Sequence, residues 1–180
     1  MPVEQRHTID TLIASGTRLK FVFFWSHEGI PRTLGAECLS QWYPAPFTEG
    51  AHTFATAEHY MMFHKAKLFG DEEAAAKVLR APSPAAAKAI GRTVRGFEEK
   101  VWTAERFGIV AAGSRAKFGS STELRRYLVQ TGNRVLVEAS PTDRVWGIGL
   151  TADDSRAQNP SRWRGLNLLG FALMQAREDL

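Results

Sequence analysis

FATAEHYMMFHKAKLFG, residues 54–70, decides how the rest of the chain is read, because it puts ionisable groups where a buried helix carries apolar side chains. At about 100° per residue, Glu58, Met61, Met62, Lys65 and Phe69 fall on one face, so a carboxylate and an ammonium share a side with three apolar residues. Tyr60, Phe63 and Lys67 lie on the opposite side, and a helix that is apolar nearly all round packs inside a domain. Glu58 and Lys65 then stand roughly 10 Å apart along the axis, too far for a backbone-fixed ion pair and close enough to flank one small ligand. The pattern also suits two charges that snorkel to solvent or pair elsewhere in the core. Thr56 is the predicted N-cap, and Glu58 falls in the first turn, where the helix dipole favours negative charge.

Upstream, residues 1–16 are polar with a small apolar patch at Leu12 and Ile13, and RLKFVFFW (18–25) reads as a strand from its aromatic and β-branched content. Residues 26–41 lack a period, and two prolines in WYPAPF (42–47) forbid a helix there, giving an irregular aromatic stretch that is either a ligand wall or core cover. Gly50 to Thr56 leads into the central helix. Downstream, residues 71–80 are helix formers, and Ser83-Pro84 starts a second helix that ends near Gly91-Arg92. A long helix is predicted from Phe97 to Phe118, with Trp102 near its start. Ser120 with Glu123 resembles a capping box before LRRYLVQ, which stops at Thr131-Gly132. RVLVEAS (134–140) and VWGIGL (145–150) read as a hairpin joined by PTDR, with Asp143 in its turn. A loop over 151–166 and an amphipathic closing helix, NLLGFALMQAREDL, complete a single helix-rich α+β domain over residues 1–180 with a small sheet, without βαβ alternation.

The composition excludes several classes. With 44% hydrophobic and 23% charged residues the chain is an ordinary globular one, and no run reaches the ~18 apolar residues of a membrane span. The start, MPVEQRHTID, has no apolar h-region, and the one cysteine, Cys38, has no partner for a disulfide, which fits a reducing cytoplasm. His59 and His64 fall on different sides of the central helix, so no metal site is expected. The balance of 23 basic to 19 acidic residues favours anionic partners without a basic block, so a small phosphorylated ligand is the cheaper inference than a nucleic-acid strand. Gly147 and Gly149 allow close backbone approach to a ligand, yet no third glycine opens a helix after them, so a dinucleotide fingerprint fails. Walker, GXSXG and paired-cysteine signatures are absent as well.

Taken in order, LSQWYPAPF (39–47), FATAEHYMMFHKA, AIGR (89–92), VW (101–102), AKF (116–118), LVEASPTDRVWGIGL (136–150) and GLNLLGFALMQARE (165–178) resemble the NADAR superfamily of YbiA-like N-glycosidases, over about residues 20–179. The resemblance implies a YbiA-like fold and hydrolysis of an N-glycosidic bond between a ribose and a nucleobase-like group, without a cofactor. Implied substrates are early aminouracil intermediates of riboflavin biosynthesis or ADP-ribose on guanine, so the partner is a small phosphorylated ribosyl compound or an ADP-ribosylated nucleic acid. It also implies a site: Glu58, Lys65 and Asp143 as catalytic residues, with Trp102 stacking on the base. Arg92 and Lys117 are the phosphate candidates or surface ion-pair partners, and Trp146, Gly147 and Asn167 complete the substrate-binding set. Gln41 and Trp42 stand where the family often has Asn and Phe, and Met62 replaces a frequent polar residue, which reshapes the base pocket. The chemistry is coherent, since carboxylates stabilise the positive charge that builds at the anomeric carbon. A desolvated Lys65 is expected to attack that carbon as a neutral amine and form an imine with the opened sugar. A non-catalytic ADP-ribose or NAD reader and a nucleic-acid-interaction module are the alternatives.

Overall fold

Local capping chemistry sets most of the helix starts. The computed structural model describes residues 5–26 and 34–180. Thr8 and Thr11 form a capping box that opens helix α1 (Ile9–Ala14), where the sequence shows only a small apolar patch. Strand β1 (Phe21–Phe24) falls inside the predicted strand. Residues 27–33 of the stretch expected to be irregular lie outside the described residues, and a 3-10 turn spans Ala36–Leu39. A short antiparallel hairpin, β2 (Phe47–Glu49) and β3 (His52–Phe54), follows where an irregular lead-in is expected. Gly50 turns it with φ at +57°, and Phe47 and Phe54 pair across it with ring centroids 5.7 Å apart. Three-residue strands are too short to print a period.

Helix α2 (Ala57–Leu68) is the predicted central helix, with Thr56 accepting the His59 N–H as its N-cap. Helices α3 (Glu72–Leu79), α4 (Pro84–Gly91) and α5 (Glu99–Gly119) follow, α4 starting at the predicted Ser83-Pro84. Helix α6 (Thr122–Gln130) is capped by Ser121 rather than Ser120, whose hydroxyl instead donates to the Lys117 carbonyl at the end of α5. Strand β4 is Val135–Glu138 and the closing helix α7 is Leu168–Glu178. Residues 57–63 of α2 are all buried, because α3, α4 and α5 surround the helix. Helices approach closely through glycine: a Cβ at Gly91 would strike the Met62 thioether, and one at Gly113 would meet the Tyr60 ring. The result is the expected helix-rich α+β fold, with two separate two-stranded sheets.

The second strand expected at 145–150 does not form, and neither does its hairpin. β4 pairs in parallel with β1, from Phe21↔Val135 to Phe24↔Glu138. The reason lies in competing hydrogen bonds. Asp143 Oδ1 accepts the N–H groups of Val145 and Trp146 and curls the chain, while the carbonyls of Val145, Trp146, Gly147 and Ile148 accept from Leu168, Leu169, Asn167 and Arg164. Asn167 occupies the left-handed region, with φ at +53°. Its Oδ1 accepts the Glu138 N–H at 3.0 Å and its Nδ2 donates to the Leu136 carbonyl at 2.9 Å, so one side chain imitates a neighbouring strand on β4. Asn167 has no exposed surface, which corrects its expected place among substrate-binding residues. Asn167→Ala is expected to lower stability by about 2–4 kcal/mol, measured as a denaturant midpoint, because it orphans two buried backbone groups. A substrate-binding asparagine would raise KM and leave the midpoint in place.

Candidate active site

The parallel pairing of β1 with β4 brings two distant chain segments to one strand end, and an open cavity of about 430 Å³ lies there. Crevices beyond the carboxyl ends of parallel strands are the usual ligand sites of such sheets. Trp25 and Ser26 follow β1 into the wall, and Glu138, Ser140, Thr142 and Asp143 enter from β4 and its exit loop. Ser40 and Trp42 come from the segment after the 3-10 turn, and Lys88 comes from α4, with Nζ 5.9 Å from the Trp42 ring centroid.

Glu58 sits behind Trp42, whose indole N–H donates to Glu58 Oε2 at 3.2 Å. The Glu58 N–H also donates to the Gln41 carbonyl, which fastens the Trp42 segment to the first turn of α2. Glu58 is 2% exposed, and its Oε1 is buried with no hydrogen-bond partner among the described residues. Burial pushes the Glu58 carboxyl up to about 7, and Asp143 adds to that, against Lys88, the Trp42 hydrogen bond and Arg92. Glu138, partly exposed as a residue, likewise has a buried Oε2 without a partner among the described residues. Burial pushes Glu138 up to about 8, with Asp143 and Glu58 adding to the rise and Lys88 opposing it. Three carboxyl groups and one ammonium therefore interact around one cavity. Among the described residues no group of three or more His, Cys, Asp or Glu side chains is placed to hold a metal ion, and no helix is long and apolar enough to cross a membrane.

The NADAR domain family model matches residues 23–180. The chain belongs to the NADAR domain family. It is 41% identical over 165 residues to "N-glycosidase R617" of Acanthamoeba polyphaga mimivirus, covering 89% of this chain and 96% of that one. It is 32% identical over 135 residues to "N-glycosidase YbiA" of Escherichia coli strain K12, covering 75% and 76%. The NMR structure of E. coli YbiA superposes with a TM-score of 0.68 at 27% identity, covering 91% of this chain and 86% of that one.

In this NADAR domain the residues singled out from sequence fall into three groups. Glu58 and Asp143 meet electrostatically at the cavity, and Arg92, exposed at the C-cap of α4, adds its charge to the same carboxyl. Lys65 and Trp102 form a neighbouring aromatic group: Lys65 Nζ stands 4.3 Å from the Phe97 ring centroid and 5.4 Å from that of Trp102. Neither lines the cavity, and Lys65 is not among the charges that shift Glu58. Lys65 is half-buried, and burial lowers its pKa against the opposing Glu99.

The third group is structural. Lys117 is 1% exposed and donates to the carbonyls of Cys38 and Ser40 at 2.7 and 2.8 Å, so it braces the chain leading to Trp42 and offers nothing to a phosphate. Its expected role as phosphate ligand or surface ion-pair partner is corrected by that placement. Gly147 is buried where a Cβ would come within 2.8 Å of the Glu138 carbonyl and 3.1 Å of the Asp143 carbonyl, so it lets the exit loop fold against β4. Trp146 contributes a backbone N–H to Asp143 and packs on the core.

Sequence reasoning missed Lys88, Glu138 and Trp25. Lys88 reads as an ordinary surface lysine of an Ala-rich helix, and Trp25 as the end of a strand. Glu138 carries the one usable signal, an acid directly after three apolar strand residues in VLVEAS.

Proposed function

We propose that this NADAR domain is an N-glycosidase that cleaves the bond between a ribose and a nucleobase-like group in the cavity beyond β1 and β4. The observation that carries the reading is a pair of carboxyls, the buried Glu58 and the partly exposed Glu138, each with one buried oxygen that has no hydrogen-bond partner among the described residues, beside Asp143 at an open cavity. Cleavage of a ribosyl C–N bond needs negative charge near the anomeric carbon and a proton for the departing nitrogen. Carboxyls that desolvation raises toward neutrality supply both forms of the group. Asp143, fixed by two backbone N–H groups, holds a carboxylate oxygen in one place. The Trp25 and Trp42 indoles offer flat surfaces to a base. Lys88 and Arg92 at the edge of the site suit the phosphate of a phosphorylated ribosyl substrate.

Lys65, which stands beside the cavity rather than in its lining, is the amine of this reading for a ribose that extends along α2 toward Phe97. Desolvation between Phe97 and Trp102 raises its neutral fraction, and it stands two turns beyond Glu58 on the same face of α2. Borohydride added during turnover is expected to leave a sugar-derived adduct on Lys65, located by peptide mass mapping and absent from Lys65→Arg. An active enzyme without any adduct would mean that water attacks the sugar directly.

The function is tested by nucleobase release from a panel: an aminouracil ribose 5-phosphate of the riboflavin pathway, an oligonucleotide with ADP-ribosylated guanine, NAD, and free ADP-ribose as a control without a base to lose. Release from the aminouracil compound or the oligonucleotide is expected. Saturable binding of ADP-ribose without release from any substrate would make the domain a reader instead.

A further inference from the structure

We propose that Glu138, the last residue of β4, is the general acid that protonates the departing base. The proposal rests on the N-glycosidase reading and deepens it, because the residue patterns and the resemblance leave Glu138 without a role. Three observations carry it.

First, Glu138 lines the cavity directly, whereas Glu58 stands behind the Trp42 indole. Secondly, the two carboxyls are held differently. Glu58 Oε2 accepts a hydrogen bond from Trp42, which favours its ionised form, while Glu138 Oε2 is buried with no donor among the described residues. The charged groups that act on Glu138 are Asp143 from the exit loop, Lys88 from α4 and Glu58 from α2, two carboxyls against one ammonium. Burial first, then Asp143 and Glu58, favours the protonated form of Glu138. Thirdly, the Glu138 backbone is clamped. Its N–H donates to Asn167 Oδ1, its carbonyl accepts from Ile148, and it sits in register with Phe24 of β1. A carboxyl on so fixed a backbone is aimed, as proton transfer requires.

The C1′–N bond breaks and its electron pair goes to the base nitrogen, which takes the proton from Glu138. A water nucleophile bonds to C1′ and loses a proton to the Glu58 carboxylate, whereas the Lys65 amine, roughly 10 Å from Glu58 along α2, loses its proton to solvent. Hydrolysis of any lysine adduct consumes one water, and the proton on Glu58 or in solvent returns to Glu138, so the net reaction adds one water across the bond.

The test compares two leaving groups. One substrate from the panel above releases a base that needs a proton. The other, 4-nitrophenyl riboside 5-phosphate, releases a phenolate that needs none. Glu138→Gln is expected to lower kcat on the first by about 10²–10⁴-fold, and the loss on the second to shrink below about 10-fold. The alkaline limb of the wild-type kcat profile on the first substrate is expected to disappear in the variant. Equal losses on both substrates with the limb intact overturn the assignment and leave Glu138 a structural residue. Full activity of Glu138→Gln beside an active wild type overturns the assignment alone. A wild type that releases neither leaving group overturns the N-glycosidase reading and the assignment with it. Carbon-13 NMR of the labelled wild-type glutamates adds a readout independent of the variant's folding: a Glu138 carboxyl that titrates above neutrality is expected, and one that titrates with ordinary exposed carboxylates sinks the proposal.

Discussion

Glu58→Gln is expected to lower kcat by about 10²–10⁴-fold at neutral pH while the protein stays folded. The substitution keeps the shape of the side chain and removes its charge. The amide oxygen can still accept the Trp42 indole N–H, so the contact that fastens the Trp42 segment to α2 survives. What disappears is a carboxylate able to steady positive charge at the anomeric carbon or to take a proton from the nucleophile. Turnover on a base-releasing substrate and a thermal melt of the same preparation check it. A variant that fails to fold would show that Glu58 is a buried partner of Lys88, Trp42 and Arg92 first, and would give its first-turn helix-capping position the larger weight.

The second large effect is on stability against pH. Glu58 and Glu138 are raised from 4.5 to about 7 and about 8, so between the two values the folded protein holds protons that the unfolded chain has released. Unfolding then releases protons, and stability falls with rising pH. The contribution of each group is fully present below pH 4.5 and is lost by about pH 7 for Glu58 and about pH 8 for Glu138. Other groups oppose the trend. Burial lowers His64, which makes stability rise with pH below the ordinary histidine range, and burial lowers Lys117 to about 7, which does the same between there and the ordinary lysine value of 10.5. The difference between wild type and Glu138→Gln isolates the carboxyl. At pH 8 the variant is expected to gain on the order of 3 kcal/mol relative to its balance at pH 4, or roughly 6–12 °C in Tm for a chain of this size. Melting curves of both proteins from pH 4 to 8 measure it, and a flat difference would mean that Glu138 is solvated. A site residue whose removal stabilises the protein while stopping the chemistry is the expected mark of a strained active centre.

The folding and the chemistry of this NADAR domain are written at different distances along the chain. The start of α2 is local: Thr56 caps it, Glu58 falls in the first turn, and the all-round apolar pattern announces that the carboxylate goes inside. The same short-range logic places the start of α4 at Ser83-Pro84 and the end of α6 at Thr131-Gly132. Periodicity over a dozen residues therefore suffices to say that residues 54–70 form a buried helix with a misplaced acid.

It does not say what covers each face. RVLVEAS followed by VWGIGL reads as a hairpin because neighbouring strands usually pair, and nothing in either segment reveals that Phe21–Phe24 offers β4 a parallel edge from more than a hundred residues upstream. Nor does it reveal that one asparagine, Asn167, occupies the other edge. That pairing carries Trp25 to Glu138 and sets both beside Lys88 and Asp143. Lys117 shows the same limit from the other side: its place in a long helix allows an exposed cation, and only the packing of residues 38–40 against it makes it an interior brace. Burial of a charge depends on every element packed around it, and those contacts join segments that share no sequence pattern. Local sequence thus set the helices and marked Glu58, whereas the tertiary structure alone decided that Glu138 joins it at a cavity and that Lys65 stands against the Phe97 and Trp102 rings, because desolvation is a property of the assembled surfaces.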